Sequence, residues 1–233
     1  MPIKYGSKAV NDVFYGNKRV LQIYQGSKLV YNAEIRLPSG YTKLEYIQND
    51  IDSYIKTGVL DGTDDLSYEA DFTYVSGSGY RYVLGAYGGD SLKNTVLFIN
   101  LSGDIGGWVN KGYSSAIMTS GIVSENQRIK CYADSNKFII NGITKTSFAD
   151  GTQRDGAELY LFRRNGDGKN YAAQTTSNAI IKLHSLKIKM KNVAVRNFIP
   201  AMRDSDGEIG LYDTVTRNFF TNAGTGTFTS NVS

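Results

Sequence analysis

The chain is short of the residues from which most catalytic and metal centres are built: 1 Cys, 1 His and 1 Trp in 233 residues. The lone Cys131 excludes an intrachain disulfide framework and a cysteine-based zinc site, and it reads as a buried strand thiol. The lone His184 excludes any centre that needs two imidazoles. No run of about 18 apolar residues is present, so no helix is expected to cross a membrane. No basic, apolar leader opens the chain, so no secretory signal is expected and synthesis in a cytoplasm follows. Apolar residues nowhere sustain the helical period, which argues against amphipathic helices. Charge of one sign is also lacking. With 26 basic and 22 acidic residues the net charge is +4, too mild and too scattered for a nucleic-acid interface, which needs a dense basic face.

What is abundant is glycine, at 25 residues, and tyrosine, at 17, in a chain that is 41% hydrophobic. That content supports a real core. Tyrosine suits a half-buried pleated surface and glycine suits turns, so the composition favours turn-rich β structure.

The opening of the chain repeats. Tyr5-Gly6-Ser7-Lys8-Ala9-Val10, Tyr15-Gly16-Asn17-Lys18-Arg19-Val20 and Gln25-Gly26-Ser27-Lys28-Leu29-Val30 align, so that Gly, Lys and Val recur in register. Each unit reads as a glycine-containing turn and a short strand, and the three together as a small β-meander. So few residues bury too little apolar surface to stand alone. Residues 1–35 are therefore expected to be an attachment or oligomerisation module, with Val10, Phe14, Val20, Ile23, Tyr24 and Val30 as its contact residues. Packing of this appendage on its own domain is the alternative. Asn32 to Gly40, with Pro38, reads as the joint, and residues 36–233 as the main domain.

In that domain Tyr41 to Ile47 alternates as one strand. Leu66, Tyr68, Ala70, Phe72 and Tyr74 alternate with Ser67, Glu69, Asp71 and Thr73, the pattern of a strand with one wet face. Gln127–Ala133 and Lys137–Ile143 read as a hairpin, with Asn141-Gly142 as a strong turn dipeptide. A strand is expected over Glu158–Arg164. Ile180 to Met190 carries the longest strand signal, but its parity slips, and a bulge near His184-Ser185 would explain that. About twelve strands at short spacing predict an all-β, two-sheet sandwich.

Two phrases bracket this domain. The first is Leu37-Pro38-Ser39-Gly40-Tyr41, Leu44-Glu45-Tyr46-Ile47 and Tyr54-Ile55-Lys56-Thr57-Gly58. The second is Arg196-Asn197-Phe198-Ile199-Pro200, Ser205-Asp206-Gly207, Gly210-Leu211-Tyr212-Asp213 and Phe220-Thr221-Asn222-Ala223-Gly224-Thr225-Gly226. Together they resemble the opening and closing signatures of concanavalin A-like (laminin G-like) jelly-roll domains of tailed-phage virion proteins. The N-terminal repeat is similar to segments that precede receptor-binding or fibre domains in such proteins. The resemblance implies a tail- or head-fibre, receptor-binding or decoration component located on the virion. Its implied partners are other virion proteins, a homo-oligomer with a trimer favoured, and a host-surface carbohydrate. It implies structural roles for the closing motif, with Asp213 bonding a neighbouring turn.

The same fold class includes glycoside hydrolases, whose chemistry needs two carboxylates flanking the scissile bond. Asp50 and Asp52 read as loop residues. Glu69 and Asp71 share one strand, but a wet sheet face explains both, so no enzymatic activity is expected. No phosphate-binding glycine loop is present, since Gly77 and Gly79 lead into no helix. No cofactor is expected. Asp61, Asp64 and Asp65, or Asn165, Asp167 and Asn170, offer oxygens for calcium, although solvated turn residues account for both groups. Sugar binding uses aromatic faces with polar groups around them, which makes Tyr80, Arg81, Tyr82, Tyr87, Trp108 and Tyr113 candidates, with Arg163, Arg164, Asn165 and Asp167 on a second loop. Trp108, between Gly107 and Val109, reads equally well as a core residue. A free lectin or carbohydrate-active enzyme of the same fold, and a scaffold with no ligand, are the alternatives to the virion reading.

Overall fold

The computed structural model describes residues 4–5, 8–9, 13–15, 18–20, 22–25, 28–32, 36–62, 65–89, 92–100, 102–112, 117–118, 123–146, 148–153, 155–166 and 179–231. The chain divides into two compact units, Met1–Pro38 and Ser39–Ser233. The divide falls inside the segment expected to be the joint.

The first unit holds β1 (Lys4–Tyr5), β2 (Lys8–Ala9), β3 (Val13–Tyr15), β4 (Lys18–Val20), β5 (Gln22–Gln25) and β6 (Lys28–Asn32). They pair as β1–β2, β3–β4 and β5–β6, each pair a two-stranded antiparallel sheet. Among the described residues the unit is thus three successive hairpins, and no ladder joins one to the next as a meander would. The pairing explains the repeat. In the sequence, Gly-Ser, Gly-Asn and Gly-Ser separate the strands that pair.

The second unit is all β among its described residues. Its first strands are β7 (Tyr41–Lys43), β8 (Ile47–Gln48), β9 (Ile55–Leu60), β10 (Leu66–Gly77), β11 (Arg81–Tyr87), β12 (Asn94–Ile99), β13 (Ile105–Lys111) and β14 (Ile117–Met118). There follow β15 (Gln127–Ala133), β16 (Phe138–Ile140), β17 (Ile143–Lys145), β18 (Glu158–Leu161) and β19 (Asn165–Gly166), then β20 (Ala179–Met190), β21 (Val193–Arg203), β22 (Ile209–Asp213) and β23 (Phe219–Phe220). They form two sheets. In the ten-stranded sheet the order is β17-β16-β15-β10-β20-β21-β22-β23, with β7 on β21 and β8 on β20. In the seven-stranded sheet it is β14-β13-β12-β11-β18-β9, with β19 on β11. All ladders are antiparallel except β11–β19. This is a jelly-roll-like sandwich.

The core lies between the sheets. Leu66, Tyr68, Ala70, Phe72 and Tyr74 of β10 meet Ile55, Leu84, Leu97, Ile105 and Leu161 of the facing sheet in one buried cluster. Tyr68 reaches across and donates its hydroxyl to the Val96 carbonyl at 2.7 Å. Gly107 makes that approach possible, because a Cβ there would sit 2.6 Å from the Phe138 ring and 2.7 Å from the Tyr68 hydroxyl. Cys131 is buried in this core, and burial pushes its thiol up to about 12, so it is an inert apolar contact.

Several local expectations meet their physical reasons here. The slip in β20 is a bulge: Asp71 pairs Ser185 while Phe72 pairs Leu183, which leaves His184 as the extra residue. Asn141 (φ 46°) and Gly142 (φ 87°) make a turn of the kind expected, but it joins β16 to β17, and the β15–β16 reversal lies earlier. Tyr41 to Ile47 is not one strand. Leu44, Tyr46 and Ile47 are all buried, and the chain steps from β21 to β20 between β7 and β8. The strand expected to run to Arg164 stops at Leu161, because Phe162 has φ 65° and keeps its ring in the core, 5.5 Å from Phe228.

The two bracketing phrases meet in space. Asp50 accepts the backbone N–H of Asp52, Ser53 and Thr227, at 2.9, 2.8 and 2.7 Å. Asn222 accepts the Tyr54 N–H at 3.0 Å and donates to the Gly226 carbonyl at 2.6 Å. Gly224 and Gly226 are needed because a Cβ would strike the Asp52 carbonyl or the Asp50 carboxylate. Asp213 is fully buried and bonds the Asn197 and Val215 N–H groups and the Thr216 hydroxyl, the turn-bonding role expected of it.

Candidate functional site

The outer face of the seven-stranded sheet is the aromatic one. Strand alternation puts Ile55, Leu84, Leu97, Ile105 and Leu161 inward, so Tyr54, Lys56, Tyr87, Phe98, Trp108 and Tyr160 point the other way, and the bulge between Tyr82 and Leu84 puts Tyr82 there too. This layer has two halves.

The first half is closed. Tyr82, Tyr87, Val96, Phe98 and Trp108 form a second buried cluster, with Phe148 packed against it. Phe98 meets Trp108 edge-on at 5.5 Å and Tyr82 at 5.8 Å. The Arg164 guanidinium lies 5.0 Å from the Tyr87 ring and 5.7 Å from Tyr82. Trp108 is 1% exposed, and Tyr82 and Tyr87 are each 7% exposed. Arg81 is also buried. Its guanidinium bonds the Gly79 carbonyl at 3.0 Å, the Tyr74 hydroxyl at 2.6 Å and the Asn100 carbonyl. Arg81, Tyr82 and Tyr87 therefore pack against their own chain, which corrects the expectation that they offer open faces, and Trp108 takes the core role that was its equal alternative. Tyr80, 6.0 Å from Phe98, is the exception, with an exposed side chain. Asn165 pairs with Ala86 and donates its amide to the Glu158 carbonyl at 2.8 Å. Tyr113 and Asp167 lie outside the described residues, as does Val10 of the attachment set. Phe14, Val20, Ile23, Tyr24 and Val30 of that set lie on hairpin strands β3 to β6.

The second half is half-open, and it was missed as a unit in the sequence. Tyr54 and Tyr160 stand 5.1 Å apart at the β9–β18 edge of the sheet, both partly exposed. Arg163 lies 4.2 Å from the centre of the Tyr54 ring, and exposed Lys56 lies 5.8 Å from that of Tyr160. Burial raises the Tyr160 hydroxyl above its ordinary range, so it stays a protonated donor. Tyr54 is held by the closing loop, through Asn222 on its N–H and through Ala223, which donates to its carbonyl at 2.8 Å. Glu158 accepts the Gly58 N–H at 2.7 Å. The only signal in the sequence was the phase of Tyr54-Ile55-Lys56 against Glu158-Leu159-Tyr160, and it gives no register.

The outer face of the ten-stranded sheet is charged. Glu69 pairs with Lys189 at 2.5 Å, and Asp71 pairs with Arg128 at 2.8 Å and Lys130 at 3.7 Å. His184 bonds the Thr73 hydroxyl at 3.0 Å and the Glu45 carbonyl at 3.2 Å. Burial first, then nearby Arg128, lowers its pKa, so the ring is neutral at physiological pH. Asp61 is buried and accepts the Ala157 N–H at 2.8 Å, while Asp64, Asp167 and Asn170 lie outside the described residues. Among the described residues no group of three or more His, Cys, Asp or Glu is placed to hold a metal ion.

No family model matches the chain, and no curated protein matches it. Among solved structures, a match is the crystal structure of a Bacteroides ovatus protein with a provisional carbohydrate-binding description, at TM-score 0.47 and 13% identity, covering 82% of this chain. The chain spans 61% of that protein's length. At that distance the likeness carries no argument about a ligand.

Proposed function

We propose that this chain is a non-catalytic carbohydrate-binding protein of a bacteriophage virion, a fibre, receptor-binding or decoration component. The observation that carries the binding part is the partly exposed Tyr54–Tyr160 pair with cations over both rings. Sugars present C–H faces that stack on such rings and hydroxyls that bond the polar groups beside them. Support for a non-catalytic role comes from Glu69 and Asp71, whose carboxylates are engaged by cations on the opposite outer face. The virion assignment rests on the resemblance of the repeat and the bracketing phrases. Homo-oligomerisation, with a trimer favoured, is supported by the three two-stranded hairpins of the first unit, since isolated hairpins of this size are marginal in water.

A glycan array of bacterial surface polysaccharides tests the binding. At least one glycan class is expected to bind, and Tyr160→Ala is expected to weaken it at least tenfold. A blank array overturns the reading. Light scattering should give a multiple of 25.7 kDa. A monomer that fails to sediment with phage particles overturns the virion part.

A further inference from the structure

The Arg163 side chain is 8% exposed, and among the described residues its guanidinium has no hydrogen bond and no ion pair. Its buried Nε has no hydrogen-bond partner, and its guanidinium lies over the Tyr54 ring at 4.2 Å. A cation taken out of water without an anion is costly, and stacking on a ring offsets only part of that cost. Its neighbour Arg164 lies over Tyr82 and Tyr87, and Arg81 bonds two carbonyls and a hydroxyl, so each of those has several partners. Arg163 differs from both. It reaches this position through the left-handed backbone of Phe162, φ 65°, a conformation that a bulky residue adopts only when its surroundings impose it. Exposed Lys56 adds a second cation over Tyr160. Glu158, the carboxylate on this face, accepts the Gly58 N–H.

We propose that the Tyr54–Tyr160 edge is a subsite for an acidic sugar, a uronic acid residue whose ring stacks on the tyrosines and whose carboxylate pairs with the Arg163 guanidinium. This rests on the carbohydrate-binding reading above and sharpens it to a charged ligand. A planar carboxylate matches the fork of a guanidinium, and an exposed ammonium beside it adds attraction without fixed geometry.

The test is titration calorimetry of the full chain with oligogalacturonate, a sulfated oligosaccharide and a neutral oligoglucose. Oligogalacturonate is expected to bind best, and more weakly as salt rises from 50 to 500 mM. Arg163→Gln is expected to reduce its affinity at least tenfold, Arg163→Lys by less, and Lys56→Gln by about threefold, while the thermal midpoint of Lys56→Gln stays at the wild-type value. Lys56 is exposed, so that variant reports even if Arg163→Gln misfolds. Preference for the neutral sugar, or salt-independent binding, overturns this inference and leaves the carbohydrate reading standing. Preference for the sulfated chain overturns the carboxylate assignment. Binding of none of the three overturns this inference, and the glycan array then decides the broader reading on its own.

Discussion

The two outer faces of the sandwich manage charge in opposite ways. On the ten-stranded sheet, acids and bases alternate across the strands and neutralise one another: Glu69 with Lys189, Asp71 with Arg128. On the seven-stranded sheet, Lys111 pairs with Asp150, but at the β9–β18 edge rings stand beside the cations: Arg163 lies over Tyr54 and Lys56 over Tyr160. A face whose charges pair internally has little reason to recruit a charged partner. Arg163, held against a ring with no carboxylate partner among the described residues, keeps its positive charge available. The difference locates a candidate site without any appeal to pocket shape.

The comparison breaks most readily at the aromatic face. Trp108→Ala should cost about 3–5 kcal/mol in urea unfolding, because a fully enclosed ring leaves a cavity. A cost below about 1 kcal/mol would mean that the buried cluster does not hold the sheet together. Asp213→Ala should follow at about 3 kcal/mol, since it strips the buried acceptor from Asn197, Val215 and Thr216 and leaves Arg196 without its acid. Asp50→Asn sharpens the comparison through pH. Burial raises the Asp50 pKa, but the N–H groups of Thr227, Asp52 and Ser53 and the Ser53 hydroxyl outweigh it and hold the carboxyl below its ordinary 3.8. A depressed carboxylate stabilises the fold above its unfolded pKa, and that contribution fades as pH falls through the folded value. The variant should therefore be less stable than wild type by about 1 kcal/mol at pH 7, after allowance for solvent, with the gap closing in acid-unfolding curves below pH 3.8. A gap that persists in acid would detach the clasp from ionisation. The smallest effect belongs to the charged face. Glu69→Gln removes a half-exposed ion pair and should change stability by less than about 0.5 kcal/mol and glycan binding not at all.

Much of the fold could be read from local pattern. The alternation in β10 identified every inward residue from Leu66 to Tyr74, and the parity slip in β20 located the bulge at His184. Both are signals carried within one strand. What stayed hidden depends on which strands become neighbours. Tyr54 and Tyr160 come together only through the β9–β18 register, which no periodicity encodes. Tyr82 and Tyr87 looked like an open binding set, and Trp108 could be read either way, because glycine and tyrosine mark both loops and sheet faces, and only their packing with Phe98 and Val96 distinguishes the two. The closing motif looked purely structural, yet its Asn222 also holds the Tyr54 backbone from which the candidate site is built.

Arg196 carries one more consequence. Its guanidinium reaches the carbonyls of Thr57 and Gly58 on β9, the terminal strand of its sheet among the described residues, at 2.8 and 3.5 Å. Terminal strands are where a second chain can add by continuing the ladder, and a bulky cation seated on the backbone blocks that addition. Arg196 therefore obstructs ladder extension at Thr57 and Gly58, just along the chain from Tyr54 and Lys56, so the border that carries the tyrosine pair is also guarded against strand addition.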